Sequence, residues 1–162
     1  ILKPEENSIY NTLIVSPPGA GKTTILRDLI RTISNGIEVL NFEGLNVGVV
    51  DERGEIAALY KGIPQNDVGI RTDVMENTSK PIGIKMLIRS MAPQVIAADE
   101  IGTRDDVLAI KEAGALGVKG IFTAHGEGKK ELTQNPVLSE LLAEQIIEKV
   151  IFIRKDRCIA LE

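Results

Sequence analysis

With 162 residues, 43% of them hydrophobic, the chain is long enough for one compact domain with a true core and too short for a second full one. A formal charge of -4 argues against a whole-domain nucleic-acid binder, and the single cysteine excludes an internal disulfide or a cysteine zinc site. With no tryptophan and 3% aromatic residues, the core must be built from Ile, Leu, Val and Ala, as in layered α/β proteins.

The chain opens at Ile1, without a methionine and already close to a strand, as a fragment with its upstream part removed would. Residues 12–15 predict the first strand, which runs into a turn made of Ser16-Pro17-Pro18-Gly19-Ala20-Gly21. A helix follows from about Lys22, with Ile25, Leu26, Leu29, Ile30 and Ile33 on one face, and Asn35-Gly36 closes it. Residues 47–50 predict the second strand, ending in Asp51-Glu52-Arg53-Gly54. From Gly54 to Asn77, turn residues and charges predict loop, with a short helix near Ile56 to Tyr60. Ile84, Leu87, Ile88 and Met91 recur at helical spacing, so a helix is expected from Pro81, suited to a first turn, to Met91, just before Pro93.

Residues 95–98 predict the third strand, running into Asp99-Glu100. Thr103 with Asp106 resembles a capping box for a helix from about Arg104 to Leu116, with Gly117 beyond it. Residues 120–123 predict the fourth strand, with His125 at its end. Asn135-Pro136 opens a further helix carrying Val137, Leu138, Leu141, Leu142 and Ile146, and residues 150–153 predict the fifth strand. Cys158, beside that strand, reads as a small buried hydrophobe rather than a reactive thiol. No apolar run reaches bilayer-crossing length and no signal peptide is visible. Strand–helix alternation sustained this far implies an α/β fold, a mostly parallel sheet with helices on both faces. Ligands then belong at the carboxyl ends of the strands.

Ser16-Pro17-Pro18-Gly19-Ala20-Gly21-Lys22-Thr23 fits a phosphate-binding loop except that Ser16 stands where the first glycine is usual. Gly19 and Gly21 let the backbone curl so that its N–H groups point at phosphate oxygens, and the helix beyond presents its amino end to the same charge. Lys22 supplies a cation to the β- and γ-phosphates, and Thr23 a hydroxyl to Mg²⁺. A Pro/Gly turn that happens to contain a lysine is the plain alternative. The placement between an apolar strand and an amphipathic helix argues against it. Nucleotide contacts are therefore assigned to Pro18, Gly19, Ala20, Gly21, Lys22, Thr23 and Thr24.

The strand ending in Asp99-Glu100 supplies the second acidic site: Asp99 for Mg²⁺, Glu100 to orient and activate water. Adjacent strand residues point to opposite faces, so a turn must rotate Glu100 toward the phosphates.

Taken in order, the loop, Asp51-Glu52-Arg53-Gly54-Glu55, Leu87-Ile88-Arg89-Ser90-Met91-Ala92-Pro93, Ala98-Asp99-Glu100-Ile101-Gly102 and Thr123-Ala124-His125-Gly126 resemble the ATPase domain of the stage III sporulation AA family. More distantly the chain is similar to secretion and type IV pilus ATPases. The resemblance runs from Leu13 to about Ile153 and implies a RecA-like P-loop NTPase that binds ATP and Mg²⁺. It implies that the strand at 120–123 lies between the phosphate-loop strand and the acidic strand and carries a polar sensor, with the family's histidine at His125. Of Asp51 and Glu52, Glu52 is preferred for organising magnesium and water. The more distant secretion ATPases are hexameric rings whose pockets arginines complete; Arg53, Arg71 and Arg89 are available here, Arg71 first. The secretion ATPases also carry a large amino-terminal domain, so this chain is expected to be one ATPase domain over residues 1–162, a fragment without that part. The work implied is mechanical, in the cytoplasm, at a sporulation membrane channel whose proteins are the partners.

Two rival readings stay open. One is a non-hydrolysing, nucleotide-gated scaffold for a membrane complex, which needs Lys22 but no active Glu100. The other is a nucleic-acid-dependent ATPase of the recombinase type. Its only loop would be Gly126-Glu127-Gly128-Lys129-Lys130, a weak electrostatic footprint.

Overall fold

The structure is a computed structural model describing residues 1–154 and 159–161, so Cys158 lies outside the described residues. A two-stranded hairpin, β1 (Leu2–Lys3) and β2 (Ser8–Ile9), precedes the central strand β3 (Thr12–Ser16) and helix α1 (Lys22–Asn35). Next come β4 (Val47–Asp51), a small hairpin of β5 (Leu59–Tyr60) and β6 (Ile63–Pro64), then β7 (Thr72–Glu76) and α2 (Lys80–Met91). After β8 (Val95–Ala98), α3 (Arg104–Ala115) and β9 (Lys119–His125), the chain forms two short helices, α4 (Lys129–Gln134) and α5 (Leu138–Ala143). It ends in β10 (Lys149–Ile153) and β11 (Ile159–Leu161).

The main sheet has the order β11-β10-β3-β9-β8-β4-β7. Every neighbouring pair is parallel except β11, which runs antiparallel to β10. The strand at the centre of the resemblance therefore sits where expected: β9 lies between the phosphate-loop strand β3 and the acidic strand β8.

Strand alternation sorts the core into two layers. Leu13, Val15, Val50, Ile96, Ala98, Phe122 and Phe152 pack with Ile84 and Leu87 of α2, Val107 and Ile110 of α3, Leu132 of α4 and Leu141 of α5. Ile14, Val49, Val95, Ala97, Ile121 and Ile151 face the other way, onto Leu26, Ile30 and Ile33 of α1 with Phe42 and Leu45. The sheet is thus covered on both sides. The Thr103–Asp106 capping box is present in both directions and starts α3 as its residues predict.

Four local expectations are corrected. The segment from Gly54 to Asn77, read as loop, contains β7, a half-buried edge strand whose Asp73 and Glu76 mask its alternation. The short helix near Ile56 to Tyr60 is absent: positive φ at Ala58, Lys61 and Gly62 breaks helical geometry and forms the β5–β6 hairpin. The helix after Asn135-Pro136 stops at Ala143, and the positive φ of Gln145 turns the chain toward β10. Lys129 and Lys130 are not a glycine-rich strand-tracking loop but the first turn of α4.

Candidate active site

The carboxyl ends of β3, β9, β8 and β4 gather at one edge of the sheet, where Asp51, Glu52 and Arg53 after β4 and Asp99 and Glu100 after β8 line one cleft. Ser16 pairs with His125 at the ends of β3 and β9. Ser16 is the last, fully buried residue of β3, and its hydroxyl donates to the Pro17 carbonyl at 3.0 Å. It is not among the positive-φ residues, so a glycine's freedom is not needed there. Gly19 and Gly21 do need it, at φ 75° and 95°. Pro18, Gly19 and Ala20 form the curl, closed by the Ala20 N–H on the Pro17 carbonyl at 3.4 Å. Gly21 begins α1 with no side-chain cap, which leaves the first-turn N–H groups of Lys22, Thr23 and Thr24 for a ligand.

Lys22 is 7% exposed, and its Nζ lies 3.3 Å from Glu100 Oε1. The Thr23 hydroxyl donates to Asp99 Oδ2 at 2.6 Å. Glu100 adopts φ 53°, a left-handed conformation that costs a non-glycine residue about 1 kcal/mol. That turn brings two adjacent carboxylates to the same cleft. It is held by the Glu100 N–H, which donates to Thr123 Oγ1 at 2.8 Å, while the Thr123 hydroxyl donates to Asp99 Oδ1.

Thr123, fully buried in β9, is a cleft-supporting residue that the sequence pattern alone does not single out. Its signal was a single hydroxyl at the end of the apolar run Gly120-Ile121-Phe122. Thr123→Val removes that hydroxyl at constant volume. We expect a loss of about 1–3 kcal/mol in chemical denaturation, largely restored by Thr123→Ser, because Asp99 and the Glu100 N–H both lose a buried partner.

Three groups surround the Glu100 carboxylate. His125 Nε2 lies 2.9 Å from Oε1, and Arg53 Nη1 lies 2.6 Å from Oε2, in addition to Lys22. Burial pushes the Glu100 carboxyl up, but the Lys22 hydrogen bond and charge, with Arg53 and His125, outweigh it and hold the group below its ordinary range.

At the end of β4, Asp51 and Glu52 have different tasks. Asp51 is 2% exposed and accepts from the backbone N–H groups of Glu55, Ile56 and Ala57 at 2.9–3.1 Å. It shapes the loop from the wall of the cleft. Glu52 is ion-paired with Lys80, and both line the cleft with Asp99 and Glu100. Lys80 was also missed. A lysine in the first turn of a helix opposes the helix dipole, and that anomaly was its signal.

Arg71 and Arg89 lie elsewhere. The Arg71 guanidinium donates to the Ser34 carbonyl at 3.0 Å, in the last turn of α1, a helix length of roughly 18 Å from Lys22. Arg89 is exposed in the last turn of α2. Both cations sit where helix carbonyl ends favour them, and neither reaches the cleft of its own chain.

Among the described residues, no group of three or more His, Cys, Asp or Glu could hold a metal by protein ligands alone. The Thr23–Asp99 pair fits a magnesium ion of the kind that keeps its waters and takes the remaining oxygens from phosphates.

Comparison with known proteins gives the family and the fold. The family model for sporulation stage III, protein AA, matches residues 1–158. Stage III sporulation protein AA of Bacillus subtilis (strain 168) is 44% identical over 146 residues, which is 90% of this chain and 47% of that protein. Among solved structures, the Legionella pneumophila ATPase DotB superposes with a TM-score of 0.60 at 18% identity, covering 97% of this chain and 45% of that one. The pilus retraction motor PilT with bound ADP gives 0.59 at 14% identity, covering 94% and 48%. The chain thus spans about half the length of these relatives. Its fold is the RecA-like fold of the secretion ATPases. No helix among the described residues is long and apolar enough to cross a membrane.

Proposed function

We propose that this chain, which belongs to the sporulation stage III protein AA family, binds ATP with Mg²⁺ in the cleft at the carboxyl ends of its strands and hydrolyses the β–γ bond. The observation that carries the reading is the convergence of Lys22, Thr23, Asp99 and Glu100, with Thr123 between them, at that one edge. The names of DotB as an ATPase and of PilT with bound ADP support it.

In this reading the backbone from Pro18 to Thr24 wraps the phosphates, and Lys22 neutralises charge on the β- and γ-oxygens. Thr23 and Asp99 would hold the magnesium, which when bound offsets charge on the same oxygens. Glu100 leaves Lys22 as the phosphates arrive and aligns a water molecule. The water oxygen bonds to the γ-phosphorus as the bridging oxygen departs with ADP. The water proton passes to Glu100, and His125 Nε2, 2.9 Å from Oε1, offers it an exit. Glu52, beside Asp99 in the cleft, orders water around the metal. The proposed assembly is a homo-hexameric ring working in the cytoplasm at a sporulation membrane channel, with the channel proteins as partners. This part rests on the family relation.

Steady-state phosphate release from ATP tests the reading. We expect release that requires Mg²⁺, stops in EDTA and falls at least about a hundredfold in Lys22→Ala. ATP binding without turnover under any condition would leave the nucleotide-gated scaffold instead.

A further inference from the structure

We propose that Arg53 contacts the γ-phosphoryl group of the bound nucleotide from within its own chain, supplying in cis the charge that the resemblance assigned to a neighbouring subunit. The inference rests on the ATPase reading and deepens it.

The Glu100 carboxylate is one negative group ringed by a phosphate-loop lysine, an arginine and a histidine: Lys22 and His125 on Oε1 at 3.3 and 2.9 Å, Arg53 on Oε2 at 2.6 Å. That ring is the environment a terminal phosphoryl group requires. Phosphate oxygens that reach Lys22 displace Glu100 from these cations, and Arg53 is already beside the position they take. Its contact with Glu100 uses Nη1, and its side chain is 65% exposed toward the cleft mouth, so the rest of the guanidinium fork remains accessible to a phosphate.

The placement is a property of one chain. Strands β4 and β8 are parallel neighbours, with Val50 opposite Ala98, so the residues just beyond them meet. The loop that carries Arg53 is fixed at several points. Asp51 accepts from three of its amides, the Gly54 N–H donates to the Asp51 carbonyl at 3.3 Å, and Arg27 donates to the carbonyls of Glu55 and Ile56 at 2.7 Å each. The backbone that carries Arg53 is therefore held in place before any ligand arrives, and the contact with Glu100 already directs the side chain to the site. During transfer the bond from phosphorus to the bridging oxygen breaks and the bond to the water oxygen forms. The proton leaves toward Glu100, and Arg53 offsets the charge that accumulates on the equatorial oxygens.

Two measurements on the same chain test this. The first is the affinity of a fluorescent non-hydrolysable ATP analogue and of fluorescent ADP for the parent and for Arg53→Ala. We expect the triphosphate to bind about tenfold more weakly to the variant and the diphosphate to change less than about twofold. Equal losses, or none, overturn the assignment. If the parent binds neither nucleotide, the ATPase reading falls and this inference with it. The second is turnover in a mixture of Arg53→Ala with Lys22→Ala. A cis arginine leaves the mixture at the sum of two residual rates, each down on the order of a hundredfold or more. Recovery of activity on mixing shows supply across a subunit boundary and overturns the cis assignment.

Discussion

Replacing Glu100 by Gln is expected to lower ATP turnover by at least about a hundredfold while tightening ATP binding severalfold. The amide keeps the volume and the left-handed turn but cannot take the proton from water. It also removes the anion that competes with phosphate for Lys22 and Arg53, which lie 3.3 and 2.6 Å from the carboxylate. The ligand-free variant should be less stable, because Lys22 is 7% exposed and loses its counter-charge. The Glu100 carboxyl is held below its ordinary range, so its contribution to stability is complete above that range and lost as pH falls through the lowered value. The stability gap between parent and Glu100→Gln should therefore close on acidification below about pH 4. Equilibrium binding, phosphate release and denaturation across pH check the three parts. Binding lost together with turnover would make Glu100 a structural residue.

Asp51→Ala is expected to be the most damaging substitution for stability at this edge, costing about 3–5 kcal/mol and lowering the melting temperature by roughly 10 °C. It removes the acceptor of three backbone N–H groups, in a residue 2% exposed, and leaves them without partners. Asp51→Asn keeps one acceptor oxygen and should lose less. Because the same loop carries Glu52 and Arg53, turnover should fall with stability. Glu52→Ala makes the contrast: Glu52 is half-exposed and holds no backbone amides, so the cost should be smaller, about 1–2 kcal/mol for leaving the largely buried Lys80 without its counter-charge, while activity falls. Thermal melts of the three variants separate the two roles.

The parallel sheet was legible because its strands are buried on both faces and read as unbroken apolar runs, and because Gly, Pro and the Thr103–Asp106 box punctuate the helices. The edge strand β7 was not, since one half-exposed strand carries Thr72, Asp73 and Glu76 among its five residues. The phosphate loop and the acidic pair were visible as local strings. What escaped was contact between elements far apart in sequence. Arg53 reaches Glu100, and Thr123 bridges Asp99 and the Glu100 amide, only because β4, β8 and β9 are sheet neighbours. The strand order that brings Thr123 there came from the family resemblance, not from any periodicity. A turn at Glu100 was expected from the opposite faces of adjacent strand residues, but its left-handed form had no signal, because glutamate is an uncommon residue for it. Arg71 was placed first among the arginines for the reach of its loop; within its own chain its guanidinium donates to the Ser34 carbonyl near the end of α1.

Single-turnover conversion of γ-labelled ATP, with the chain in excess and Mg²⁺ present, tests the central claim most directly. The parent should release labelled phosphate in one exponential phase, and Glu100→Gln should hold the nucleotide intact over the same period. Bound ATP recovered unchanged from the parent, or converted equally fast by Glu100→Gln, would contradict hydrolysis at this cleft.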